Sequence, residues 1–344
     1  MTGPFATRLF RIAFVLAGAY NLAFGAWTVL WPRAFFDLFE VAPPRYPGIW
    51  SCLGMVVGVY GFLYGYAAWK PERGRPLIAV GLLGKVVGPI GMFMTFGDDW
   101  PLRLGLLCVT NDLIWWLPFS LFLLRGSAAG RRLASLAPWI CAALHVLAVA
   151  MLVVLGGGTE TEPDPLERAA YITEHSTAWR LGWMLWMAAA ASLVGFYAGW
   201  GSRLAATGWA GVATLLAACG MVCDLSGESL YILVLVEQAA PVIQGAARSG
   251  WDVAGFQETQ RLATLLTAGA ANGLYTVGGV ILTLGTPRLP RWVGAAMWTT
   301  WLAGLVMSAS ALLDSTAGMV AATALLFPLL VTWTVWMAWR WRRA

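Results

Sequence analysis

The sequence predicts an all-α fold, a polytopic transmembrane helical bundle of about ten spans with both termini cytoplasmic. Three observations carry this. Of 344 residues, 59% are apolar and only 11% charged, against roughly a quarter charged in soluble domains. Mean hydropathy is +0.70, and the 21 tryptophans exclude a disordered chain. Ten apolar stretches reach the ~20 residues that cross a ~30 Å hydrocarbon core as a helix, with none of the alternation that a β-barrel needs. Finally, Lys and Arg divide unevenly between alternate loops: fourteen on the side of the termini and seven opposite, with Lys85 inside a span. Basic excess marks the cytoplasmic side. It also accounts for the net charge of +5 without a nucleic-acid partner.

The first span, Phe10 to Trp31, follows Arg8 and Arg11. It is long enough to be a retained helix rather than a cleaved signal. The second, Gly48 to Trp69, carries Gly54, Gly58, Gly61 and Gly65, and the third, Leu77 to Gly97, carries Gly84 and Gly88. Small residues spaced in this way let helices approach closely.

Span three also holds Lys85, and span four, Leu104 to Leu124, holds Asp112. Reflected through a turn near Asp99, the two charges fall at nearly equal depth. Pro89 frees the Lys85 carbonyl from its helical bond, and Asn21 and Asn111 extend the polar set. A salt bridge locking a helical hairpin is the structural reading, and ligand or proton binding the functional one.

The basic, small-residue stretch Arg125 to Arg132 separates a four-helix unit, 1–125, from a six-helix unit, 126–344. Span five, Ala134 to Leu155, contains His145. A long external segment, 156–179, then opens with three glycines. Its Asp164-Pro165-Leu166-Glu167 signature starts a short surface helix. Its acids Glu160, Glu162, Asp164 and Glu167 are expected to form a solvated face away from the membrane.

Span six, Leu181 to Trp200, extends an aromatic stripe of Trp179, Trp183 and Trp186, expected to anchor and pack, with the lining of a pocket for an apolar or cationic ligand as the alternative. Span seven, Thr207 to Val236, places Asp224 and Glu228 one turn apart on a face with Gly220 and Tyr231, and no Lys or Arg shares the helix. Two desolvated carboxyls so close together favour one shared proton, as a relay or cation site requires. His145 and Arg180 are the candidate partners. The second external segment, 238–257, is expected to be an interfacial helix or a lid. Spans eight to ten run from Leu262 to Gly285, Trp292 to Leu313 and Gly318 to Trp339.

Zinc-ligand spacing, nucleophile elbows, phosphate loops and dinucleotide fingerprints are lacking, so the sequence assigns no metal and no cofactor. The pieces Tyr20-Asn21-Leu22, "GMVVGVYG" from Gly54, "GLLGKVVGPIG" from Gly81 and "TNDLIWWLPF" from Thr110 resemble an uncharacterised bacterial four-helix membrane family of the DoxX-like type, over about the first 125 residues. The resemblance implies a four-helix unit in a bacterial inner membrane. The leading functional expectation is binding or transport of a small or amphipathic solute, with proton or cation coupling at Asp224 and Glu228. The alternatives are an intramembrane enzyme acting on a lipid or quinone, and a structural subunit docking on membrane-protein partners.

Overall fold

The computed structural model describes residues 4–43, 46–93, 104–204, 207–245, 252–287 and 289–343. Among these there are helices and turns but no strand. Nine helical stretches are long and apolar enough to cross a membrane. The chain is a multi-pass, all-α membrane protein. The expected third span is present as a helix over Pro71–Phe93. Glu72, Arg73, Arg75 and Lys85 make this part less apolar than the nine, and the turn near Asp99 lies outside the described residues.

The chain divides into two compact units, Met1–Ser127 and Ala128–Ala344. In the first, α1 (Pro4–Leu30) packs along α3 (Pro47–Trp69), which in turn packs on α4 (Pro71–Phe93). The short α2 (Ala34–Leu38) buries Phe35 and Phe36 against Trp50. The last helix is interrupted: α5 (Gly105–Cys108), a π-helical turn over Val109–Leu113, then α6 (Ile114–Leu124).

Glycine decides the α1–α3 crossing. A Cβ added to Gly25 would lie 2.6 Å from the Gly54 carbonyl oxygen, and one on Gly61 would lie 2.8 Å from that of Gly18. No polar attraction is needed, because backbones this close gain dispersion along the whole crossing. Phe14, Tyr64, Phe119 and Phe122 fill the core on the other side.

The second unit comprises α7 (Ala128–Leu155), α8 (Pro165–Glu174), α9 (Ser176–Gly201), α10 (Thr207–Ser229), α11 (Leu235–Ile243), α12 (Val253–Thr264), α13 (Asn272–Leu284), α14 (Arg291–Leu312) and α15 (Thr316–Arg343). Helix α7 lies between α9 and α15, and α10 packs on both α9 and α13. Two π turns, Leu230–Val234 and Leu265–Ala271, join α10 to α11 and α12 to α13 without breaking either span.

The surface helix predicted after Asp164 is α8, capped as its sequence requires: Asp164 Oδ1 accepts from the Leu166 amide at 2.8 Å. The segment 238–257 differs from expectation. Helix α11 runs on to Ile243 and α12 begins at Val253, so most of its described part extends the two flanking spans. Its apolar positions continue the helical stripe, burying Gln238, Ala239, Val242 and Phe256.

Candidate functional site

Polar groups gather in two places, one in each unit. In the Met1–Ser127 unit, Lys85 Nζ lies 3.9 Å from Asp112 Oδ1 and donates to the Asn111 carbonyl. Asn111 Nδ2 donates to Asp112 Oδ1 at 2.8 Å, and Trp116 Nε1 donates at 2.9 Å to the Lys85 carbonyl that Pro89 leaves free. The π turn carries Asn111 and Asp112 together, and Gly88 leaves room beside Asp112: its added Cβ would sit 3.4 Å from Oδ2. Tyr64 and Trp115 face the ammonium at 5.9 and 6.0 Å from their ring centres. Asn21 stands apart, donating to the Val57 carbonyl at 3.3 Å. The ammonium has a counter-charge and a carbonyl acceptor within the unit and the carboxylate has an amide donor, an arrangement that suits a lock between the two helices.

In the Ala128–Ala344 unit the helices enclose a cavity of about 530 Å³. Its lining along α7 is His145, Val149, Leu152 and Val153, one helical face, with Gly156 of the following 3₁₀ turn beyond them. At ~1.5 Å per residue the α7 part is about 12 Å long, over a third of a ~30 Å hydrocarbon core. Asp224 and Glu228 project into it from α10.

Asp224 Oδ2 accepts from the Tyr275 hydroxyl at 3.1 Å. Glu228 is 2% exposed, and its Oε2 has no hydrogen-bond partner. Among the described residues, no Lys or Arg lines the cavity. His145 is buried in the wall, its Nδ1 2.8 Å from the Cys141 carbonyl. A carbonyl only accepts, so Nδ1 carries the proton and Nε2 is the basic nitrogen of the neutral ring.

Glu160 belongs to the same wall, contrary to the expected solvated acidic face. Gly156–Gly158 form a 3₁₀ turn that folds the chain back over the bundle, with Gly157 flush against Tyr171 and Gly158 against Trp179. Gln260 Nε2 holds the Gly158 carbonyl at 3.0 Å. Glu160 Oε1 then accepts from the Thr264 hydroxyl. Thr264 has one proton to give, so the Tyr231 hydroxyl, 2.7 Å away, donates to Thr264 Oγ1. The directed chain Tyr231 to Thr264 to Glu160 ties α12 to the π turn after α10. The three glycines were its only trace in the sequence.

Glu160 lies outside the spans, and burial raises its carboxyl above the ordinary carboxylate range, with the Thr264 bond and the charge of Arg168 opposing and that of Asp314 adding. The unfolded chain releases this proton at a lower pH. The group therefore favours folding fully below the ordinary carboxylate value, and that contribution is lost as pH rises through the elevated one. Replacing Glu160→Gln is expected to raise the melting temperature more at pH 8 than at pH 4.5; equal changes at both pH values would contradict this burial.

The tryptophan stripe also departs from expectation. Trp179 is fully buried and donates to the Tyr231 carbonyl at 2.8 Å, while Trp183 and Trp186 line the cavity. Trp183 stacks on Tyr231 with ring centres 4.1 Å apart, and Trp186 meets Phe327 edge-on at 5.1 Å. The stripe faces inward because Tyr231 and Phe327 offer rings to pack on. Arg180 is not in the lining; its charge interacts with Glu237 instead.

Tyr275, Thr264, Thr267 and Asn272 join the site without any earlier signal. All four lie in or beside the π turn Leu265–Ala271. Such turns widen a helix by one residue and recur where function needs an irregular face. Among the described residues, no three His, Cys, Asp or Glu side chains are grouped to hold a metal ion. Compared with protein families, with curated proteins and with solved structures, the chain matches none.

Proposed function

We propose that this is a bacterial inner-membrane protein, with both termini cytoplasmic, whose Ala128–Ala344 unit binds a small or amphipathic solute and carries it across the bilayer with proton or cation coupling at Asp224 and Glu228. The DoxX-like resemblance of the first 125 residues and the excess of basic residues on the terminal side support that membrane and orientation. The observation that carries the reading is Glu228: a carboxyl oxygen buried in a cavity wall with no hydrogen-bond donor, in a lining whose described residues include no Lys or Arg. Such a group is tolerated in hydrocarbon when it holds a proton or a cationic partner. Exchange of one for the other is the elementary step of coupling.

The groups that line the cavity with this pair from other elements are His145 on α7, Tyr197 on α9, Tyr231 in the π turn Leu230–Val234, Tyr275 on α13 and Glu160 at the rim, the last within electrostatic reach of Arg168 and Asp314. The test is a panel of neutral, anionic and cationic solutes of drug-like size, added to protein in nanodiscs at pH 6 and pH 8. At least one is expected to raise the melting temperature in a pH-dependent way. The Asp224→Asn/Glu228→Gln variant should lose that pH dependence. The same solute, preloaded into proteoliposomes, should leave faster under an imposed pH gradient with wild type and not with the variant. Unchanged behaviour in the variant, or no response to any solute, would remove the proposal.

A further inference from the structure

We infer that the solute of this cavity is an amphipathic organic cation: an ammonium head on an elongated apolar or aromatic body. The inference rests on the reading of the cavity as a solute site and names the class of that solute.

Charge is the first argument. Among the described residues the lining contributes three carboxyls, Glu160, Asp224 and Glu228, and no Lys or Arg. An anion would meet three carboxyls and only uncharged donors there, the unpartnered Trp183 and Trp186 indole N–H groups among them, and a neutral alcohol offers a single donor to three acceptors. An ammonium offers up to three N–H donors and a positive charge. Glu228 Oε2, without a donor in the protein, is the acceptor it would complete.

The walls are the second. The rings of Trp183, Trp186, Tyr231 and Phe327 line the same cavity as the acids, and aromatic faces attract a desolvated cation. A bare metal ion has no use for such walls. The three carboxyls also fail to converge as a metal site requires, since none of the described His, Cys, Asp and Glu side chains form a group of three around a common point.

Shape is the third. About 530 Å³ falls within the range of pockets that hold drug-sized ligands. From Thr316 to Leu330 the lining of α15 spans fifteen residues, about 21 Å of helix, so the space is long rather than round. Val153 and Val320 both line the cavity and are 86% and 50% exposed. Part of its mouth therefore lies on the apolar outer surface of the unit, where an amphipathic molecule partitioned into the bilayer can enter body first.

Three probes of one skeleton test this: 4-phenylbutylamine, 4-phenylbutanol and 4-phenylbutyrate, titrated calorimetrically into the full chain in nanodiscs at pH 7.5, with empty nanodiscs subtracted. The amine is expected to bind at least tenfold more tightly than the alcohol, with no measurable heat from the carboxylate. Glu228→Gln should bring the amine to within about threefold of the alcohol. The comparison among probes uses wild-type protein, so the inference is tested even if that variant fails to fold. Alcohol or carboxylate binding as tightly as the amine would overturn the cation class and leave the cavity a solute site. Failure of all three while other members of the solute panel still stabilise the protein would do the same. Silence from the entire panel would overturn both readings.

Discussion

Replacing Asp112→Asn is expected to destabilise the Met1–Ser127 unit by about 3 to 5 kcal/mol, the usual cost of leaving one partner of a buried ion pair alone. Lys85 is 5% exposed, with its ammonium held by Asp112 Oδ1 at 3.9 Å and by the Asn111 carbonyl. Asparagine keeps the shape and the contact with Gly88 but removes the counter-charge. The ammonium then has only a carbonyl and the faces of Tyr64 and Trp115 in place of water. The double variant Lys85→Met/Asp112→Asn is expected to recover most of the loss, because an apolar side chain of similar length needs no counter-charge. Denaturant unfolding in bicelles gives all four corners of the cycle. A double variant as unstable as Asp112→Asn alone would show that the pair is not a lock and that the cost arises elsewhere in the π turn.

The second large effect concerns the α1–α3 crossing. Gly25→Ala places a methyl group 2.6 Å from the Gly54 carbonyl oxygen and 2.8 Å from the Gly58 Cα. Both are backbone atoms, so no side chain can rotate away and the helices must separate. The expected loss is about 1 to 3 kcal/mol, the range for overpacking a fitted interface. Gly65, on the partner helix α3, is the control: it is exposed, and an added Cβ there meets nothing within 4 Å. Gly65→Ala is expected to be neutral or slightly stabilising, since alanine is the better helix former. Equal behaviour of Gly25→Ala and Gly65→Ala in thermal denaturation would show that the crossing is looser than the backbone distances imply.

Much of the architecture was legible because it rests on short-range patterns. Apolar length set the spans, Asp164 and Pro165 set the start of α8, and Pro89 predicted a free carbonyl that Trp116 takes up. Lys85 and Asp112 were readable as a pair because they lie only 27 residues apart on consecutive helices, and a hairpin expected between those helices equates their depths. Asp224 and Glu228 were readable as a face because both belong to one helix, four residues apart.

The rest of the site was not legible, and Glu160 shows why. By sequence it is one of several acids in a polar external segment, and its hydrogen-bond partner Thr264 is 104 residues away. Nothing local marks it as a cavity residue. The same holds for Trp186, whose neighbour Phe327 lies on another helix, and for Tyr275, which reaches Asp224 from α13. The π turns escaped as well, since a one-residue widening leaves the apolar pattern of a span almost unchanged.

By itself, then, the sequence determined that the chain is a helical membrane protein, where its spans lie, and which few charges hydrocarbon must shelter. Those properties follow from the free energy of moving each residue between water and lipid, which is nearly additive along the chain. Only the tertiary structure decided that seven helical segments enclose a cavity, that a loop acid closes its rim, and that Glu228 meets no donor there. Inside a bilayer, lipid is as apolar as the helix faces, so hydropathy cannot say which faces meet. Packing of small residues, stacked rings and long-range hydrogen bonds decide it.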